Sequence, residues 1–187
     1  MRAILLAACV LGVAGTAAAQ DGAPRPFVSA EPAFRSVNGG PDAGTSAFGL
    51  DVTVGTRAWR SVQPIFQGGR LIDVVPADLI RTTFAPPFAR ETSTWYGAAG
   101  ARYLTPRVWW FQPYAEGTGG VAHMHSQVVA ASLFTDTRVV PVVNMGAGAE
   151  LRLGRYFTID AGYRTQTFFG SADVQRRGPR LAFGVRF

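Results

Sequence analysis

Two histidines and a few carboxylates are the residues of this 187-residue chain whose types and spacing could do chemistry. His123 and His125 stand two apart, which puts them on the same face of a strand. Such a pair can begin a metal site, or a histidine can activate Ser126 as a nucleophile with Asp136 orienting it. Solvated histidines at the root of a loop explain the pair more simply, so no catalytic residue, metal ligand or cofactor is assigned. Glu150 and Asp160 fall on facing strands of one hairpin, where paired carboxylates could do acid/base work. With Arg152 and Arg164 beside them, a ladder of ion pairs is the better reading. Gly146-Ala147-Gly148 and Gly117-Thr118-Gly119-Gly120 look like phosphate-cradling loops but have no strand–helix context, and are read as strand glycines where the wall bends or packs closely.

The elements that must position these residues show in the alternation of the last third. Phe187, Val185, Phe183 and Leu181 occupy one parity, and Arg186, Gly184, Ala182 and Arg180 the other. Before them Phe157, Ile159, Ala161 and Tyr163 alternate with Thr158, Asp160, Gly162 and Arg164. Successive strand side chains point to opposite faces, so these strands have one apolar and one charged side. The apolar parity mixes large aromatics with Ala and Gly, as at Trp95, Gly97, Ala99, Ala101 and Tyr103. That mixture suits a surface wetted by lipid better than an interdigitated core.

With the small and polar residues turned inward, a lumen receives Glu31, Arg35, Asp51, Arg57, Arg102, Glu116, Glu150, Arg152, Asp160, Arg164, Arg180 and Arg186. No strand charge is expected on the lipid face, where one at the midplane costs about 2–4 kcal/mol. The inward charges are balanced closely enough for extensive pairing.

Residues 1–19 read as a cleavable signal peptide, with Arg2, an apolar run from Ile4 to Val13 and the small-residue site Ala17-Ala18-Ala19. Residues 20–187 then form one domain. Cys9 leaves with the leader, so no disulfide or thiolate site is expected. All 18 basic residues are arginines, and the formal charge is +6. An exported chain makes nucleic acid an improbable partner, and arginine beside anionic lipid headgroups is the better use. No later segment approaches the roughly 18 apolar residues of a helical span.

Eight strands can be placed: 26–36, 46–57, 61–70, 91–104, 108–122, 141–153, 156–168 and 178–187. Short turns around Ala58-Trp59-Arg60, Thr105-Pro106-Arg107 and Gly154-Arg155 alternate with longer connections at 38–44, 71–90, 124–139 and 169–177. The third strand is the least regular, interrupted by Pro64 and glycines. The fold class is all-β, an eight-stranded antiparallel up-and-down transmembrane β-barrel. An eight-stranded barrel is just wide enough to be filled by side chains, so the interior is expected to be plugged. Outward aromatics, including Phe34, Phe48, Phe111 and those named above, would form interfacial girdles; Trp59, Tyr103, Trp109 and Phe157 would mark the short-turn rim.

The signal peptide, the paired short turns and the aromatic-ended last strand together resemble the small eight-stranded outer-membrane barrels of Gram-negative bacteria, the OmpX-like and OmpA-barrel group. The resemblance covers essentially the whole mature chain. It implies an outer-membrane location, a monomeric barrel, contact with outer-membrane lipid and lipopolysaccharide, and delivery by the barrel-assembly machinery. Leu181, Phe183, Val185 and Phe187 look like that machinery's assembly signal. The family also contains lipid A deacylases with a His, Ser and Glu on the outer wall, but their His-x-Ser pattern does not match His123-Met124-His125-Ser126.

The expected role is a structural or interaction protein and not an enzyme, with Leu79, Ile80, Phe84, Phe88, Leu133 and Phe134 making the long loops apolar enough to cap the barrel or contact ligands. The alternatives are a narrow channel or hydrophobic-ligand conduit lined by Glu116 and Arg102, and, third, an acyl hydrolase.

Overall fold

The computed structural model describes residues 25–39, 44–75, 90–128, 135–170 and 173–187. The expected leader and the loop residues Leu79, Ile80, Phe84, Phe88, Leu133 and Phe134 lie outside these. Eight strands follow in order: β1 Phe27–Asn38, β2 Ser46–Gly55, β3 Val62–Val75, β4 Arg90–Leu104, β5 Phe111–Val128, β6 Thr135–Leu153, β7 Phe157–Phe168 and β8 Val174–Arg186. Each pairs antiparallel with its sequence neighbours, and β1 pairs with β8, giving a closed barrel with no free edge. Closure satisfies the backbone polar groups internally, as a strand crossing hydrocarbon requires.

The closing seam joins Phe27–Ala30 to Phe183–Arg186 and Ser36–Asn38 to Gln175–Arg177. Between the two blocks lie Pro32 and Pro179, which have no N–H to give. Pro64 takes an outward, exposed place opposite Ala101, so β3 runs through it without a break.

Six strands, β1, β3, β4, β5, β6 and β8, reach further toward the long-loop end than the sequence implied. The β3–β4 ladder continues to Val75↔Arg90 and the β5–β6 ladder to Gln127↔Thr135, while β8 starts at Val174. Hydropathy marks where lipid ends, whereas a ladder can go on pairing in water, so these strands outrun their apolar stretches.

At the other end the expected tight turn at Thr105-Pro106-Arg107 is displaced. Thr105 N–H donates to the Pro113 carbonyl at 3.0 Å, and Val108 and Phe111 exchange two hydrogen bonds of 3.0 and 3.1 Å, leaving Trp109-Trp110 as the loop. Trp59 and Val62 make the equivalent exchange at 2.8 and 3.0 Å around Arg60-Ser61. Two-residue hairpin loops of this kind need positive φ at the first loop residue and normally use glycine there. Here Arg60 has φ 55° and Trp109 φ 56°, at a cost on the order of 1 kcal/mol each. The third turn is a three-residue loop, Gly154-Arg155-Tyr156 between the paired Leu153 and Phe157, and there the positive φ falls on a glycine, Gly154 at 72°.

The wall's close approaches depend on glycine at a few places. A Cβ on Gly120 would lie 2.0 Å from the Gly97 carbonyl oxygen and 2.5 Å from Ala98 Cα, whereas one on Gly97 would meet nothing within 4 Å. Gly120→Ala should therefore destabilise the barrel by about 1–3 kcal/mol in urea unfolding, with Gly97→Ala near neutral; equal effects would remove the close-approach explanation.

Candidate functional site

The alternation places one parity of every strand inside the barrel. Among the described residues six carboxylates (Glu31, Asp51, Asp73, Glu116, Glu150, Asp160) and six arginines (Arg35, Arg102, Arg164, Arg176, Arg180, Arg186) are buried there. A charge taken out of water is costly unless paired and hydrogen-bonded, so the equal numbers are a condition of this interior.

Glu116, on β5, is the hub. It accepts from Arg180 at 2.6 Å, Arg164 at 2.8 Å and Arg102 at 2.9 Å, and from the Gln67 amide at 3.0 Å, so four other strands converge on one carboxylate. Glu31 pairs with Arg180 at 2.7 Å, Arg35 at 2.9 Å and Arg164 at 3.2 Å. Asp51 pairs with Arg35, and with Arg164 at 3.5 Å. Asp160 lies 3.5 Å from both Arg102 and Arg180. Toward the short turns Glu150 holds Arg186, and Arg152 at 3.1 Å. The Arg102 guanidinium sits between aromatic faces, 4.1 Å from the Tyr114 ring centre and 4.7 Å from that of Phe27. Packing of this kind desolvates the cation while compensating it electrostatically.

Above the charges lies a neutral polar layer: Thr118 Oγ1 donates to Gln67 Oε1 at 2.9 Å, and Asn144 donates to both. Above that, Val37, Leu71, Tyr96, Met124, Val140, Val142, Phe168 and Val174 pack into an apolar layer. The lumen is thus stratified and filled. Glu116 and Arg102, the residues a passage would have needed free, are bound to each other with almost no exposure.

Three sequence expectations need correction. Arg57 falls beyond the end of β2 and is half-buried in the connection to β3, because pairing stops at Gly55. The lipid face is not free of strand charge: Arg70 on β3 and Arg177 on β8 are exposed on the outer wall, and Glu91 near the start of β4 is exposed as well. Arg70 stacks 5.2 Å from the Trp95 ring centre and donates to Ser93 Oγ at 3.3 Å. An arginine can keep such a place near an interface, where its long stem lies on apolar surface and its head meets polar headgroups. Asp73 and Arg176, taken for loop residues, form a further buried pair inside, with Arg176 over the Phe168 ring at 4.6 Å. Their inward parity was the available signal; strand boundaries drawn by hydropathy hid it.

The histidine constellation does not assemble. His123 and His125 face outward, and His125 Nδ1 meets Thr137 Oγ1 at 2.9 Å. Ser126 points inward, buried against Thr92 Oγ1 at 3.0 Å. Adjacent strand residues lie on opposite faces, so the wall separates this serine from its neighbouring histidine. Among the described residues no three His, Cys, Asp or Glu side chains converge as a metal site would need. Leu181, Phe183 and Val185 lie on the outward face of β8, and Phe187, one residue past its end, is exposed as well.

No protein-family model matches the chain, and no curated protein matches it significantly. Solved structures of the same fold do. Neisserial surface protein A superposes with a TM-score of 0.63 at 16% identity, over 89% of this chain and 100% of that one. OprG of Pseudomonas aeruginosa gives 0.59 at 12% over 88% and 97%. Ail of Yersinia pestis, in complex with the heparin analogue sucrose octasulfate, gives 0.58 at 13% over 88% and 99%. All three are small β-barrels, one named as a surface protein and one as an outer membrane protein.

If Glu116 holds the interior together, Glu116→Ala leaves three buried arginines short of an acceptor. It should lower stability by about 3–5 kcal/mol in urea titrations of the folded barrel. Asp136→Asn, which breaks a partly exposed 3.6 Å pair with Arg138, should change it by less than about 0.5 kcal/mol.

Proposed function

We propose that this eight-stranded outer-membrane barrel is a closed, non-enzymatic anchor of the bacterial outer membrane, and that its outer wall binds the anionic lipopolysaccharide around it. The observation that carries the closed state is the filled lumen, in which every buried arginine meets a carboxylate and an apolar layer lies over the network. A conducting path would have to separate these pairs in a low-dielectric interior.

The outward aromatics fall into two bands. Trp59, Tyr103, Trp109 and Phe157 lie at the short-turn end, and Phe34, Phe48, Trp95 and Tyr163 toward the long-loop end, all exposed. Bands of this kind sit at the two interfaces of a bilayer, with the short turns on the periplasmic side. Arg70 and Arg177 lie at or above the level of the long-loop band. Among the described residues neither has a carboxylate in ion-pair reach, unlike every buried arginine. Arg177 borders a groove of about 300 Å³ floored by Phe34, Phe48, Tyr163 and Pro179. A cation at the rim of an apolar groove matches a phosphorylated lipid, with phosphate at the rim and acyl chain along the floor. The Ail barrel of the same fold was captured with a sulfated sugar, which favours an anionic saccharide as the ligand class.

The outward apolar face of β8 would be what the barrel-assembly machinery receives, and the barrel would act as a monomer. The connections between β3 and β4 and between β5 and β6 are the natural places for further contacts.

In planar bilayers the purified protein should show no steady ion conductance; well-resolved single-channel steps would overturn the closed barrel. Lipopolysaccharide retention should fall in the Arg70→Ser/Arg177→Ser double variant by about 2 kcal/mol, roughly thirtyfold. Unchanged retention would overturn the wall site.

A further inference from the structure

At the short-turn mouth the barrel opens into a cavity of about 800 Å³ lined by Arg25, Arg60, Arg107, Arg152 and Arg155. Among the described residues that line it, none is acidic. Arg152 is neutralised from within by Glu150 at 3.1 Å. Among the described residues the other four have no carboxylate in ion-pair reach. The interior matches its charges one for one, and this mouth leaves four positive charges over.

Two further observations bear on what this mouth could hold. Arg60 and Trp109 are the only non-glycine residues at positive φ among the described residues, and both line this cavity. Each occupies the loop position where a two-residue hairpin ordinarily has glycine, so the chain accepts local strain to keep a guanidinium and an indole there. Strained backbone of this sort is concentrated at binding sites and is weak in ornament. The arginines are also steadied: Arg60 lies over the Trp59 ring at 5.2 Å and Arg155 over Tyr156 at 5.5 Å.

We propose that this mouth binds an acidic peptide segment, a linear chain carrying several carboxylates. Guanidinium forks match carboxylates with two parallel hydrogen bonds, and several forks around one concavity favour a ligand with several such groups. The volume is of the size that holds a short ligand. Trp109 and Trp110 add flat apolar surface for the peptide's methylenes. A phospholipid headgroup fits less well, because Leu104 and Gln112 in the lining are buried lumen residues, so the cavity reaches in toward the barrel axis. The inference rests on the outer-membrane orientation proposed above only in naming the periplasm as the source of the ligand.

The test uses the full barrel refolded in zwitterionic micelles and the anisotropy of dye-labelled hexaglutamate. Saturable binding is expected that weakens with added salt, with no binding of hexaglutamine. The Arg60→Gln/Arg107→Gln/Arg155→Gln variant should bind at least about tenfold more weakly. The single Arg155→Glu variant guards against a folding failure of the triple and should weaken binding in the same direction. The Arg70→Ser/Arg177→Ser wall variant should bind hexaglutamate as the wild type does, so a failed mouth and a failed lipopolysaccharide site read out separately. Absence of saturable binding, or equal binding by the wild type and both mouth variants, overturns the proposal. So does a result in which the mouth variants lose only association with phosphatidylglycerol vesicles, which would give these arginines to lipid phosphates.

Discussion

Glu116 accepting from three arginines is the interaction on which the rest of this barrel depends. Closing eight strands sends half of every strand's side chains into a narrow cylinder, and in this chain that half includes six carboxylates and six arginines among the described residues. No single ion pair would make such an interior tolerable, since each buried charge loses several kcal/mol of hydration. A network does so by sharing. Arg102, Arg164 and Arg180 each touch Glu116 and at least one further carboxylate, so that every charge sits among several of opposite sign. Because the partners come from different strands, the network also fixes how the strands stand relative to one another, an example of buried charge supplying register.

A neutral polar layer and an apolar layer lie toward the long-loop end of the charged network, and Gln166, which accepts from Arg35, and its cross-strand neighbour Arg176 carry polar groups past them to Asp73. The Asp73–Arg176 pair toward the long-loop end repeats the rule on a smaller scale, one acid and one arginine buried together with an aromatic ring against the guanidinium. The rule lapses among the described residues at Arg70 and Arg177 on the wall and at Arg25, Arg60, Arg107 and Arg155 of the short-turn mouth, where no carboxylate stands beside the guanidinium. Inside, by contrast, each buried arginine is neutralised by the protein.

Much of this was legible in the sequence because a strand's side-chain period of two is rigid. Parity alone assigns Glu31, Arg35, Asp51, Arg102, Glu116, Glu150, Asp160, Arg164, Arg180 and Arg186 to one face, and the structure buries each of them. The misplacements share one cause, that hydropathy locates the membrane and not the end of hydrogen bonding. It cut β3 before Asp73 and β8 after Arg176, and it set the turn near Thr105 although the ladder runs on to Val108 and Phe111. Arg70 was not legible because neither parity nor hydropathy says how far along the wall the apolar surface runs.

The sequence by itself determined that eight two-faced strands must close on a charged interior, because alternation of apolar and ionised residues has no other stable arrangement in a bilayer. Only the tertiary structure decided which acid meets which arginine, that Ser126 and His125 stand on opposite sides of the wall, and that Arg60 and Trp109 are bent into a cationic mouth. Those facts depend on stagger between strands distant in sequence and on turn geometry, and a linear pattern of residues carries neither.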